Sequence, residues 1–417
     1  MRYTLIIFFL LFVETISAQQ MQFKIIHVEF SGLKRCKPDY ISKCMLSEKL
    51  MYVDSNIIES DIQNIRNTDL FTSVSYTLDE TPEGIILSIQ VKEKLSIMPS
   101  VQGALTGDNK WFQIGFIDFH FLGKGITFAA FYKYFDKSSF LSYVNIPYIN
   151  DSQWGLFTEF KLDRKEEPVY INDNPVFYNA DYITVSLLLT KEIIFNRRIK
   201  SGFRYNERNY TLMQDDSSST LTNEKHIERN IVIEYEDRAK LNFNKQYLTG
   251  FSILAIFQTA IIPYNDNWYT SFQFEGKYFV KLGKKGNLGL RNRIGLFENT
   301  KDVFVPLIHD SFVNIRGIGN TYDRGTAEFT LNTEYRHTAF DWREISLQLV
   351  GFADISALNQ GKSVIKNLFN YSNTEIYVGP GFRLHFHKVS TLILRVDYGF
   401  SVIDSRSGFV AGLKQYF

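Results

Sequence analysis

Two hydrophobic patterns divide the chain. Residues 23–30 alternate as a strand that ends at Ser31-Gly32. Residues 37–49 fit a first short helix, with Pro38 tolerated in its opening turn. Ile57, Ile58, Ile62, Ile65 and Leu70 then recur on one face of a second helix, capped by Asp54 or Ser55. Residues 71–78 and 85–91 read as a hairpin around Thr81-Pro82-Glu83-Gly84. The spacing therefore predicts a compact α/β domain over residues 21–93, in the order strand, helix, helix, strand, strand.

From residue 94 to residue 417 the period becomes two. Segments of about ten residues alternate apolar and polar. Turn-rich stretches such as Asp215-Asp216-Ser217-Ser218-Ser219 and Asn265-Asp266-Asn267 separate them. At roughly 20 residues per strand and connection, this length predicts about 16 strands, an even number. Ile345, Leu347, Leu349, Gly351, Ala353 and Ile355 form one face of a segment whose other face carries Ser346, Gln348, Val350, Phe352, Asp354 and Ser356. Leu392, Leu394, Val396, Tyr398 and Phe400 oppose Arg395 and Asp397 in the same way. Near the end, Phe409, Ala411, Leu413 and Phe417 oppose Gly412, Lys414 and Tyr416, with Gln415 as the exception. A charge facing lipid costs about 2–4 kcal/mol at the midplane, so the charged faces point inward. A soluble sandwich also alternates, but its buried face need not run through some sixteen strands. The predicted fold class is an all-β transmembrane barrel of about 16 antiparallel strands, preceded by one small α/β domain.

The first residues change the picture of where the chain resides. Arg2 is a positive start, residues 5–13 are apolar, and Ile16-Ser17-Ala18 offers small residues before Gln19. That is the layout of a secretory signal over residues 1–18, and Gln19 is not the cysteine of a lipoprotein. No later segment reaches the ~18 uncharged apolar residues of a membrane helix. Aromatic residues make up 16% of the chain, with 37 Phe and 24 Tyr against 9 Pro and 6 Met. They favour strands and mark the interfaces of membrane barrels. A net charge of +1 argues against nucleic acid as a partner. Cys36 and Cys44 are too few for a metal framework. An exported location permits a bond between them if Cys36 folds back before the first helix; otherwise they are two inert thiols.

Ile315-Arg316-Gly317 sits in a long polar connection, and alternation places Glu334 and Asp354 of the following strands inside the barrel. Arg316 reaches those carboxylates only by entering the lumen, where charge-assisted bonds pin a loop. Phe352 shares the inward face with Asp354 and can lie against the guanidinium plane. The plainer alternative is a lumen arginine among ordinary inward charges. His385 and His387 share an inward face with Arg383, but no third metal ligand is near in sequence. Gly123-Lys124-Gly125 lacks the spacing of a phosphate loop, and the charged run 163–167 reads as solvated loop. No nucleophile or metalloprotease motif occurs. No catalytic residue, metal or cofactor is expected.

These residues together resemble the outer membrane protein 85 superfamily, the BamA/TamA group of bacterial surface antigens. Ile315-Arg316-Gly317-Ile318 is similar to its [VI]-R-G-[FY] loop, with Ile318 in the aromatic's place. Glu334-Tyr335-Arg336 resembles the acidic position of the next strand, and residues 352–356 its F-x-D-x-G, with Ser356 replacing the glycine. Residues 21–93 resemble a single POTRA domain through Phe30-x-Gly32, Asp69-Leu70-Phe71-x-x-Val74 and Val91-Lys92-Glu93. Gly123-Lys124-Gly125, Pro147, Asp237-Arg238 with Gly250, and Arg395-x-Asp397-Tyr398-Gly399 also fall at family positions. The resemblance implies a periplasmic POTRA domain that meets clients or complex subunits at a strand edge. It implies a barrel in the outer-membrane lipid bilayer, with a seam between a first strand near residues 97–105 and a last near 409–417, where Gly412 lies. It makes Phe417 a terminal aromatic of the kind recognised during assembly, or merely an interfacial one. The implied role is to insert or translocate outer-membrane or secreted proteins, driven by the client's own folding. The alternatives are a dedicated secretion pore for a partner protein and a non-gating scaffold subunit.

Overall fold

The computed structural model describes residues 24–47, 50, 52–106, 109–135, 137–150, 152–171, 174–213, 223–262, 267–298, 307–311, 313–359 and 368–417. The secretory signal expected over residues 1–18 lies outside them, as does the Asp215–Ser219 turn.

The first part is a three-stranded sheet with two helices: β1 (Ile25–Ser31), α1 (Pro38–Lys43), α2 (Ser55–Asn67), β2 (Phe71–Thr81) and β3 (Gly84–Glu93). The sheet order is β1-β3-β2, with β1 parallel to β3 and β2 antiparallel to it. Asp54 caps α2, its carboxylate accepting from the Ile57 N–H at 2.9 Å. Helical spacing then turns Ile58, Ile62 and Ile65 onto Leu87, Ile89 and Val91, and together they form the core. α1 ends at Lys43, six residues short of the expected end at 49. The buried Asp61 carboxylate of α2 accepts from the N–H groups of Leu46 (2.7 Å) and Ser47 (2.8 Å), so this stretch wraps onto α2. Cys36 and Cys44 are free and buried. Burial, reinforced by Glu93, pushes the Cys36 thiol up to about 12.

The remainder closes into a barrel of sixteen antiparallel strands, from Ile97–Thr106 to Ser407–Leu413. The short strand Asn242–Asn244 adds to one turn, and Leu307–Asp310 pairs with Asn320–Gly325 as a separate ribbon. Period-two alternation sorts the side chains. Ile345, Leu349 and Ile355 are exposed outward, while Ser346, Gln348, Phe352 and Asp354 are buried inside. Phe203, Phe160, Phe340 and Phe409 belong to the same outward apolar surface. Strand-to-strand pairing satisfies the backbone groups around most of the ring, as a lipid environment requires. Among the described residues no helix is long and apolar enough to cross a membrane.

Pairing is uneven around the ring. Trp154–Ile171 and Asn174–Ile194 pair continuously from Trp154↔Lys191 to Ile171↔Asn174. At the seam between the last and first strands, the only pair among the described residues is Ala411 opposite Gly103. The last strand also stops at Leu413, correcting the expectation that it runs to 417. Lys414 takes a φ of 76°, and the chain turns inward, burying Tyr416 and Phe417. Phe417 is therefore a lumen residue rather than an interfacial aromatic, while Gly412 stays in the strand, its Cα side facing the Arg395 guanidinium.

The α/β unit docks on the end of the barrel that carries the turns at residues 122–125, 147–153 and 387–392. Lys37 N–H donates to the Gly123 carbonyl (3.0 Å), Lys43 Nζ to the Asn150 carbonyl (2.7 Å), and Arg35 pairs with Asp118 (3.0 Å). The Tyr40 ring occupies the space over Gly125, where an added Cβ would lie 2.0 Å from it.

Candidate functional site

The connection before strand Ala327–Asp341 folds into the lumen, and a series of polar contacts brings it there. Asn314 donates through Nδ2 to the Ile308 carbonyl (2.6 Å) and to Glu328 (3.0 Å), while Asn332 donates to the Asn314 carbonyl (2.8 Å). The Val313 carbonyl accepts from Arg291 (2.8 Å) and Arg293 (3.0 Å) on the neighbouring wall. Ile315 packs with Ile318 and Tyr377 and is fully buried. Each contact satisfies a backbone or amide group that would otherwise be buried without a partner.

Arg316 stands at the end of this descent with no exposed surface. Its Nε and Nη2 donate to the two oxygens of Asp354 at 2.9 and 2.8 Å, and its backbone N–H donates to Asp354 Oδ2 at 3.0 Å. Nη1 donates to Glu334. Of the two candidate partners, Asp354 thus holds the fork and the main chain, and Glu334 holds the remaining corner. Phe352 lies 3.7 Å from the guanidinium carbon and Tyr416 4.4 Å, so the cation also rests against two π faces.

Glu334 is shared. Arg336 Nε reaches Oε1 at 2.6 Å and Arg383 Nη2 reaches Oε2 at 2.9 Å. Arg383 continues to Asp397 at 2.8 Å, and Arg395 approaches Asp397 at 4.0 Å. The inward-turned end of the chain closes the cluster. Arg336 Nη2 donates to the Phe417 main-chain oxygen (3.3 Å), and Tyr416 also faces Arg395 at 4.8 Å. This surplus of guanidinium faces gives the physical reason for the inward turn: Tyr416 and Phe417 find cations inside that lipid would not supply.

Gly317 brings the loop against the seam. It has a φ of 93°, and a Cβ there would lie 2.5 Å from the Gly399 carbonyl oxygen and 2.7 Å from its Cα. A Cβ on Gly399 would lie 2.1 Å from the Arg316 carbonyl oxygen, and one on Gly408 2.9 Å from that of Gly317. Gly399 and Gly408 face each other on the last two strands. The loop backbone therefore lies directly on the seam hairpin.

All six candidate loop-brace residues are thus brought together: Ile315, Arg316, Gly317, Glu334, Phe352 and Asp354. Sequence reasoning missed Arg383, Asp397 and Tyr416 as members, although the alternation had already turned each inward. His385 Nε2 donates to the Gln348 side-chain oxygen (2.9 Å), and His387 pairs with Ser346 (3.1 Å). Among the described residues no three His, Cys, Asp or Glu side chains group as a metal site. The arrangement positions a loop; it presents no nucleophile beside a base within the cluster.

The sequence matches no family model and no curated protein. Solved structures are similar in fold. CdiB from Escherichia coli aligns with a TM-score of 0.61 at 9% identity, covering 94% of this chain and 76% of that one. CdiB from Acinetobacter baumannii gives 0.57 at 11%, covering 94% and 74%. BamA from Haemophilus ducreyi lacking POTRA domains 1–3 gives 0.54 at 11%, covering 94% and 84%. At such identities the likeness carries the fold alone: a closed antiparallel β-barrel like those of CdiB and BamA.

Proposed function

We propose that this chain is a single-POTRA member of the outer membrane protein 85 superfamily that assists insertion or translocation of other proteins at the outer membrane. The observation that carries the reading is the coincidence of a buried, charge-pinned lumen loop with a seam at which the described residues form one strand pair, Ala411 opposite Gly103. A pore that only conducts solutes needs neither. In this reading residues 1–18 export the chain, and the α/β unit is a POTRA domain at the periplasmic face. The barrel spans the outer membrane, with client proteins, lipid and complex subunits as partners. The role is not enzymatic and uses no cofactor. Strand hydrogen bonds and apolar burial of the client supply the free energy.

The test is a disulfide across the seam, Gly103→Cys with Ala411→Cys, in the full-length protein in cells. Expected is loss of client-barrel assembly under oxidising conditions, with recovery on reduction. Unchanged assembly with the bond formed refutes a role for seam opening. Single-channel conductance then separates a secretion pore from a silent scaffold.

A further inference from the structure

Where the α/β unit meets the barrel lumen, the chain leaves a cavity of about 450 Å³. Two apolar clusters face into it. Leu241, Phe243, Leu248 and Phe279 form one wall. Phe119 and Leu392 form another, backed by Met98 and Ile117. Exposed Lys245 stands at the cavity's open edge. A volume of this size, with apolar walls and a few convergent polar groups, is what a small-ligand site requires.

The charges lining the cavity do not balance. Lys94 pairs with Asp69 at 2.5 Å, and Lys277 with Glu275 at 2.7 Å. Glu236 lies 3.5 Å from Arg198 and 3.9 Å from Arg238. Each of these carboxylates already has a cation. Lys414 is left over. Among the described residues no carboxylate pairs with it, and the charge that acts on it is a second cation, Arg238. Its Nζ lies 5.1 Å from the Phe119 ring centroid, and the Arg238 guanidinium carbon 5.9 Å from that of Phe243. Both rings line the cavity, so the two cations meet at its apolar walls. The Lys414 main chain is held in a left-handed turn, φ 76°, by its N–H bond to the Ile393 carbonyl (2.7 Å). A half-buried ammonium with a like charge beside it is unfavourable until an anion joins it.

We propose that this cavity binds a small amphipathic carboxylate, its head group held by Lys414 and Arg238 and its chain by the two apolar clusters. The two carboxylate oxygens accept charge-assisted bonds from the ammonium and the guanidinium. Each methylene buried between the walls adds to affinity. A cationic amphiphile meets like charge there, and a neutral one leaves Lys414 unpaired. The site goes beyond the role proposed above and does not rest on it, since it requires neither a client nor an opened seam.

The experiment reconstitutes the full-length protein in lipid vesicles, labels it with a dodecanoate carrying a terminal diazirine, and maps the label by mass spectrometry. Expected is saturable label on residues 241–248 or 386–392, competed by decanoate and far less by decan-1-ol or decyltrimethylammonium. Lys414→Asn removes the charge with a residue that tolerates the left-handed turn. It lowers this label severalfold in a barrel whose heat-modifiable gel mobility reports folding. The competition series on the unsubstituted protein carries the test should that variant not fold. Equal competition by decan-1-ol overturns the proposal, as does label confined to lipid-facing residues such as Phe203 and Phe409. Unchanged label in folded Lys414→Asn overturns it too. Displacement only by a peptide with a free C-terminal carboxylate would give the site to a polypeptide and overturn the small-ligand assignment.

Discussion

Beneath α2 the chain excludes water with Ile58, Ile62, Ile65 and Leu87; beneath the lumen loop it excludes water around Arg316, Arg336 and Arg383 with Glu334, Asp354 and Asp397. Both interiors are dry, yet they answer different needs. Apolar burial is non-directional and tolerates any packing of the right volume. Buried ion pairs repay their desolvation only at good geometry, so they contribute little net stability but penalise every displaced arrangement. The α/β core makes its unit fold. The lumen cluster makes one loop sit in one place.

Breaking one partner in each interior should expose that contrast. Asp354→Ala leaves Arg316 without its fork, and the expected loss is about 3–5 kcal/mol in urea unfolding from lipid vesicles. Arg316→Ala should cost a comparable amount. The double substitution should fall well short of the sum, because each single change already strands the other charge. Full additivity would remove the pairing as the loop's anchor.

In the α/β core, Ile62→Ala should cost about 2–5 kcal/mol, and Ile62→Leu less than about 1.5 kcal/mol. Arg316→Lys should gain no such relief, since an ammonium cannot reproduce a fork on two oxygens. Equal tolerance at the two positions would erase the comparison.

The smallest expected effect concerns Cys36. The unfolded chain releases this proton near the ordinary thiol value of about 8.5. The folded chain keeps it up to about 12. Raising pH through that window therefore favours unfolding, and alkylation of Cys36 at pH 9 should stay slow until denaturant is added. Rapid alkylation of the folded protein would contradict its burial.

Much of this was legible in the residues. Strict alternation placed Glu334, Phe352 and Asp354 inside because lipid forbids charge on the other face, and the Arg316 loop followed from them. Long-range competition was not legible. Residues 44–49 keep a helical pattern, but the Asp61 carboxylate, distant in sequence, captures Leu46 and Ser47. The period-two pattern likewise ran on to Phe417, although the strand ends four residues earlier. Gln415, the one polar residue on the apolar face, was the local sign of that end. The arginines that converge on Tyr416 come from several separate segments, and no pattern within one strand reports that they meet.

Gly317, Gly399 and Gly408 meet where added side-chain atoms would strike main chain rather than a movable side chain. No rotamer change can absorb such a collision. Sliding the last hairpin by one residue would turn a neighbour's side chain into this slot, and sliding it by two would bring Asp397 or Ser401, or Val410, against the loop. The three glycines therefore act as an index mark: only one register of the hairpin fits the loop. Where the described residues show only one pair across the seam, this notch adds a second constraint to the ladders that hold the hairpin in step.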